Sequence, residues 1–170
     1  GTVDHYAGPK PVFVSAGSVA AFDRKSGTLV WNTPLPEDLG FIRLPIVHIR
    51  PYIVVSSGRK LICLRVDTGR MVSTVTNNIG DAISGTSSKY GLLAYIRMQA
   101  DVKKSPPSPW EIRWFSSNLR TFLHFCSVPD LKELSMTELS EVGMVSFFTC
   151  YDDYLIAGGG ITGPIACFST

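Results

Sequence analysis

Along this chain short apolar runs alternate with polar turns that contain glycine or proline, and the apolar spacing almost nowhere follows a helix. Residues 12–31, VFVSAGSVAAFDRKSGTLVW, hold three apolar segments divided by a glycine turn and a Ser-Gly turn. Segments of this length bounded by turn residues predict strands joined antiparallel. The pattern returns in IVVSSGRKLICLRVDTGRMVS, where Phe13 falls on Ile53, Gly17 on Gly58 and Gly27 on Gly69, at offsets of 40, 41 and 42 residues. A third unit opens with YGLLAYIRM. It is interrupted by QADVKKSPPSP, whose three prolines and two lysines predict an exposed loop, and resumes with WEIRWFSS and RTFLHFCSV. GMVSFFTC, YLIAGGG and PIACFST make a fourth.

A period near 40 residues built from short strands predicts an all-β fold of propeller-type repeats, one four-stranded blade per repeat. The units run over about 10–35, 41–77, 80–128 and 142–170 of a single domain, whole or part of a larger one. YIVVSS and LLAYI are continuously apolar, as strands covered on both faces should be. Stacking the third strands as SVAAFD, KLICLR, EIRWFS and PIACFS puts Ala21, Cys63 and Cys167 in one column, where a small buried residue is expected. Only residues 130–143, DLKELSMTELSEVG, carry helical punctuation. Ser135 and Glu138 fit a capping box, and Leu131, Leu134, Leu139 and Val142 can share a face. A short helix or turn linking units three and four is expected there, with partner recruitment as a further role.

The first unit, with Ala21, Phe22, Asp23, Gly27 and Trp31, resembles a blade of the quinoprotein-type (PQQ-repeat, WD40-like) β-propellers. The second keeps Leu64, Asp67, Thr68 and Gly69 but has Ser73 in place of the closing tryptophan, and the later units are more degenerate. The resemblance implies the fold and not a cofactor. Unit one lacks an innermost strand unless TVDHY supplies it, and unit four stops before an outermost one. Three arrangements remain open: part of a larger propeller, a ring completed by a second chain, or a small four-unit ring. Similarity to the stress-sensor luminal domains, which use the repeat loosely and dimerise through sheet edges, implies the second. The first two are favoured.

Composition narrows the function. A net charge of +2, from 16 basic and 14 acidic residues, argues against nucleic acid or an anionic membrane as partner. No apolar run reaches the roughly 18 residues of a membrane span, and GTVDHYAGPK lacks the order of a signal peptide, although the natural start can lie upstream. Cys63, Cys126, Cys150 and Cys167 form no C-x-x-C pair, and His5, His48 and His124 are scattered. This spacing holds no metal and reads as free core thiols. A reducing compartment is favoured, with the ER lumen as the alternative.

GGGITG contains Gly158, Gly160 and Gly163 in G-x-G-x-x-G spacing, but a strand-like segment follows where a dinucleotide site needs a helix. Adjacent Asp152 and Asp153 would point to opposite faces of a strand and are expected in a turn. There is no G-x-S-x-G elbow. Neither catalytic residues nor a cofactor are therefore expected. The candidate contact residues are basic and aromatic: Arg43, His48, Arg50, Arg97, Trp110 and Arg113, with Lys103 and Lys104 nearby. The expectation is a non-catalytic scaffold that meets another protein, or a second copy of itself, through rim loops or sheet edges. The alternative is a ligand-sensing or quinone-dependent enzyme domain of the same fold.

Overall fold

The computed structural model describes residues 2–3, 12–15, 17–36, 46–56, 60–76, 81–89, 91–100, 119–139, 147–151, 154–158 and 165–169. These form four antiparallel sheets, each a meander in chain order. The first comprises β1 (Thr2–Val3), β2 (Val12–Ser15), β3 (Ser18–Phe22) and β4 (Leu29–Pro34). The second comprises β5 (Val47–Ile49), β6 (Tyr52–Ser56), β7 (Lys60–Arg65) and β8 (Met71–Thr76). The third holds β9 (Asp81–Lys89), β10 (Leu92–Ala100), β11 (Leu119–Cys126) and β12 (Glu133–Glu138). The fourth holds β13 (Phe147–Tyr151), β14 (Tyr154–Gly158) and β15 (Ile165–Ser169). Thr2 and Val3 pair with Val14 and Phe13, so the TVDHY segment does supply the innermost strand of the first sheet.

Two expectations are corrected and one strand is added. The third strand of the third sheet is β11, not EIRWFS, which lies outside the described residues together with the proline-rich insertion after Ala100. Residues 81–89, which had no assigned role, form that sheet's first strand. Of the short helix or turn expected over 130–143, residues 130–132 belong to a turn and Glu133–Glu138 form β12. Leu134 and Met136 alternate with Ser135 and Thr137, a period of two, and β11 offers them an unpaired edge whose hydrogen bonds a helix would leave unmet.

The sheets stack face to face, and alternation along each strand assigns one set of side chains to the preceding sheet and the other to the next. Val19, Ala21 and Trp31 of the first sheet meet Ile53, Val55, Ile62 and Leu64 of the second. Val54, Leu61 and Cys63 on the other side of the second meet Leu93, Tyr95, Cys126 and Leu131 of the third. Ala94, Ile96, Met98 and Leu123 then meet Leu155 and Ala157 of the fourth. Residues such as Ile53, Leu64 and Leu93, fully buried in these layers, contribute about 1.5–3 kcal/mol each.

The column predicted for Ala21, Cys63 and Cys167 exists in the strand registers, where the three face Val12, Val54 and Ile156. Its burial does not hold throughout. Ala21 and Cys63 are buried, while Cys167 is exposed, because no described sheet packs on that face of the fourth. The same reasoning explains why Ala20 and Phe22, on the far side of the first sheet, are only half-buried, whereas their counterparts Ile62 and Leu64 are buried completely.

Successive sheets are locked by the turns between their third and fourth strands. Each turn closes with a backbone hydrogen bond across six residues: Asp23 N–H donates to Thr28 O at 2.8 Å, Arg65 N–H to Arg70 O at 2.9 Å and Ser127 N–H to Lys132 O at 2.9 Å. The fifth position is left-handed in every case: Gly27 at φ 70°, Gly69 at φ 69° and Leu131 at φ 55°. The indole of Trp31 lies on Gly69, and its Nε1–H donates to Val66 O at 2.9 Å, while Thr33 Oγ1 donates to Gly69 O at 2.6 Å. A Cβ on Gly69 would stand 2.4 Å from the indole, which no small adjustment relieves.

One sheet further on, the sizes are exchanged. Ser73 replaces the tryptophan and donates its hydroxyl to Pro129 O, and Leu131 replaces the glycine. A left-handed leucine costs about 1–2 kcal/mol, offset by about 1.5–3 kcal/mol from its burial in the core between the second and third sheets.

This exchange can be tested by transplanting one interface onto the other. Trp31→Ser alone should lose about 3–5 kcal/mol of unfolding free energy, and Gly69→Leu alone should be similarly damaging. The double variant should be more stable than the two losses together imply, by at least about 1 kcal/mol in urea titrations. Simple additivity would mean that the two positions do not share one packing site.

Candidate interaction surface

Of the expected contact residues, His48, Arg50 and Arg97 are among those the structure describes, and Arg97 stands apart from the other two. Arg43, Lys103, Lys104, Trp110 and Arg113 lie outside the described residues. His48 sits half-buried on β5 opposite Ile53, and Arg50 is exposed in the turn that follows. Arg97 is on the next sheet, in the half of β10 farther from the turn that precedes it. Alternating meander strands place that half of β10 at the end of the sheets opposite Arg50.

Arg97 belongs to a cluster that the strand pairing of the third sheet creates. Phe122 on β11 faces Arg97 on one side and Glu138 on the other. The Arg97 and Arg120 guanidinium carbons lie 5.4 and 5.0 Å from the Phe122 ring centroid, so two cations rest on one aromatic ring. Arg120 donates to Glu138 through Nε at 2.8 Å and Nη2 at 2.6 Å, and this pairing holds the Glu138 carboxyl below its usual range. Arg97 Nη2 reaches Met136 Sδ at 3.5 Å. Both partners of the Arg120–Glu138 pair are solvated, so its contribution to stability is small.

Deeper on the same face His124 is fully buried, stacked on Tyr95 at 4.6 Å and 7°, with Nδ1 2.6 Å from Glu133 Oε2. A histidine oriented by a carboxylate invites comparison with a base awaiting a nucleophile. Cys126 stands two residues further along the strand, but burial pushes its thiol up to about 11, and the charges of Glu133 and Asp130 add to the rise. It is therefore a protonated core thiol at neutral pH. The dyad couples β11 to β12 and tethers an exposed edge strand to the core.

Reading residues 130–143 as a helix hid this cluster, because it separated Glu133 and Glu138 from β11. The usable signal was the strict alternation of Leu134, Ser135, Met136 and Thr137, which places every second side chain on the face of His124 and Phe122. Elsewhere, GGGITG leads from β14 into β15, with Gly158 opposite Ile165, so a strand follows the glycines and a hairpin is formed. Tyr151 pairs with Tyr154, and Asp152 and Asp153 lie outside the described residues. Among the described residues no group of three metal-ligating side chains converges, and no helix is long and apolar enough to cross a membrane.

Stacked antiparallel meanders, three of four strands and one of three, define the architecture as a β-propeller arc, and WD40 domains are among the solved structures it resembles. The WD40 domain of Neurospora crassa Pan2 matches with a TM-score of 0.61 and 13% identity, over 95% of this chain and 44% of that one. A protein of unknown function from Bacteroides caccae matches at 0.61 and 11%, over 95% and 58%. The RRP9 WD40 repeats match at 0.61 and 10%, over 95% and 48%. The chain thus spans about half the length of the structures it matches. No family model and no curated protein matches the sequence.

The four cysteines, none of them in a disulfide, give a direct check on the layering. Burial pushes Cys63, like Cys126, up to about 11, against a smaller opposing effect of the Ser73 hydroxyl. Iodoacetamide at mildly alkaline pH should label the exposed Cys167 first and the half-buried Cys150 more slowly. Cys63 and Cys126 should react only after denaturant is added. Early labelling of Cys63, read by peptide mass spectrometry, would contradict the packing of the second sheet on the third.

Proposed function

We propose that this chain is a non-catalytic propeller scaffold whose work is contact with protein, either a separate partner or a second copy of itself. The observation that carries this reading is the apolar content of the fourth sheet's outer face, on which no described sheet packs. In the first three sheets the corresponding face is closed by the next sheet, while here Thr149, Cys167 and Tyr154 are exposed and Ile156 is half-buried. A sheet face with apolar content and no described neighbour favours association. The reading treats residues 1–170 as one propeller domain or part of a larger one. It takes the repeats to be of the quinoprotein type, with Asp23, Gly27 and Trp31 serving turn and packing rather than a cofactor. His48, Arg50 and Arg97 remain candidates for contact at the two ends of the sheets.

Light scattering coupled to gel filtration tests the self-association arm. Across the micromolar range the protein should give a mass above the 18.6 kDa of one chain, and Ile156→Asp should return it to the monomer with an unchanged circular dichroism spectrum. A monomer at every concentration would sink self-association and leave only the separate-partner form of the scaffold.

A further inference from the structure

The outer strands of three successive sheets carry the same irregularity, and each time it presents the same kind of side chain. Register slips at Ala21/Phe22, Cys63/Leu64 and Phe125/Cys126 leave Val30, Val72 and Leu134 without a residue opposite them on the third strand. Such a bulge twists an edge strand away from unwanted pairing, and a polar residue would serve equally well. All three are nevertheless apolar, and they are 40%, 41% and 53% exposed. Blade packing does not require this, because their side chains lie outside the three cores.

Each bulge residue stands two positions after a turn with cationic content. Residues 23–28, 65–70 and 127–132 contain five basic and three acidic side chains, an excess equal to the net +2 of the whole chain. The acids are engaged within their own turns. Asp23 accepts from Lys25 N, Ser26 N and Ser26 Oγ, Asp67 is gripped by Arg65 at 2.8 and 2.7 Å, and Asp130 accepts from Ser127 Oγ at 2.5 Å. Arg24, Lys25, Arg70 and Lys132 are left exposed toward solvent. The Trp31–Val66 and Ser73–Pro129 hydrogen bonds hold the strand after one turn against the next turn, so the three turn-and-bulge corners form a continuous row.

We propose that this row docks an extended acidic peptide segment with an apolar side chain about every four residues. The proposal rests on the scaffold reading and names its face and the chemistry of its partner. The spacing follows from geometry: packed sheets lie about 10 Å apart and splay outward, and four extended residues span about 13 Å. An even repeat also keeps the apolar side chains on one side of the strand, facing Val30, Val72 and Leu134, while the alternate acids meet the turn cations.

The probe is a fluorescent synthetic peptide of three Val-Glu-Asp-Glu repeats, titrated into the intact protein by anisotropy at fixed ionic strength. Saturable binding is expected, weakened about tenfold by Val72→Asp, by Leu134→Asp and by Arg70→Glu, and unchanged by Tyr154→Ser on the fourth sheet. Val72 and Leu134 lie on different sheets, so a folding defect in one variant, seen in its thermal melt, leaves the other as the test. A peptide with serine for valine should bind about tenfold more weakly. Equal binding of the serine peptide, full affinity in both Asp variants, or equally tight binding of a single-stranded oligonucleotide at the row would overturn the proposal. If the protein self-associates, or holds a partner that Val72→Asp does not disturb, while the peptide fails to bind, the row is wrong and the scaffold reading stands.

Discussion

Trp31 lies on the backbone of Gly69, and most of what makes this chain an arc of blades rather than a set of hairpins follows from that contact. The outer strand of one sheet comes down on the turn of the next, an indole N–H satisfies a turn carbonyl, and Thr33 satisfies another. Meanders of this kind bury little alone, and their stability comes from the layers between them. The turn contact sets how far one sheet reaches over its neighbour, and hence which side chains face each other in the cores below. The requirement is steric and local. The turn needs a left-handed residue at its fifth position, and with the indole in place only glycine fits there.

The second contact shows that the constraint concerns volume rather than any particular residue. Ser73 leaves space, Leu131 fills it, and the hydrogen bond to the turn is kept by a hydroxyl in place of the indole. This accounts for the decay of the repeat along the chain. When a large residue moves from strand to turn, two motif positions change together and the sequence signature fades, while the layer itself persists. The tryptophan missing from the second unit is therefore half of a compensated pair.

The polar groups follow the same layering. His124 and Cys126 face the second sheet because that strand face must, and Glu133 holds the buried imidazole from the edge strand. Outward, Arg97 and Arg120 spread over Phe122 at one end of the sheets. At the other end the turns direct their acids into their own backbones and leave their cations outside. Among the described residues neither surface gathers a nucleophile beside a base.

The amino-acid sequence by itself determined the class of fold. Alternation, continuous apolar runs and glycines 42 residues apart at Gly27 and Gly69 are local properties, and each acts through the backbone of its own segment. They located most strands and the turns. What only the tertiary structure decided was every question of partnership. The strand at residues 133–138 could be read as helix because Leu131, Leu134, Leu139 and Val142 around it fit the helical period, and the edge of β11 settles the matter. Cys167 belongs to the column of Ala21 and Cys63, but burial is a property of what lies opposite, and no described sheet lies there. Among the described candidate contact residues, Arg97 stands at the opposite end of the sheets from Arg50 for the same reason. Spacing along the chain gives residue types, whereas the stacking of sheets decides which ends of which strands become neighbours.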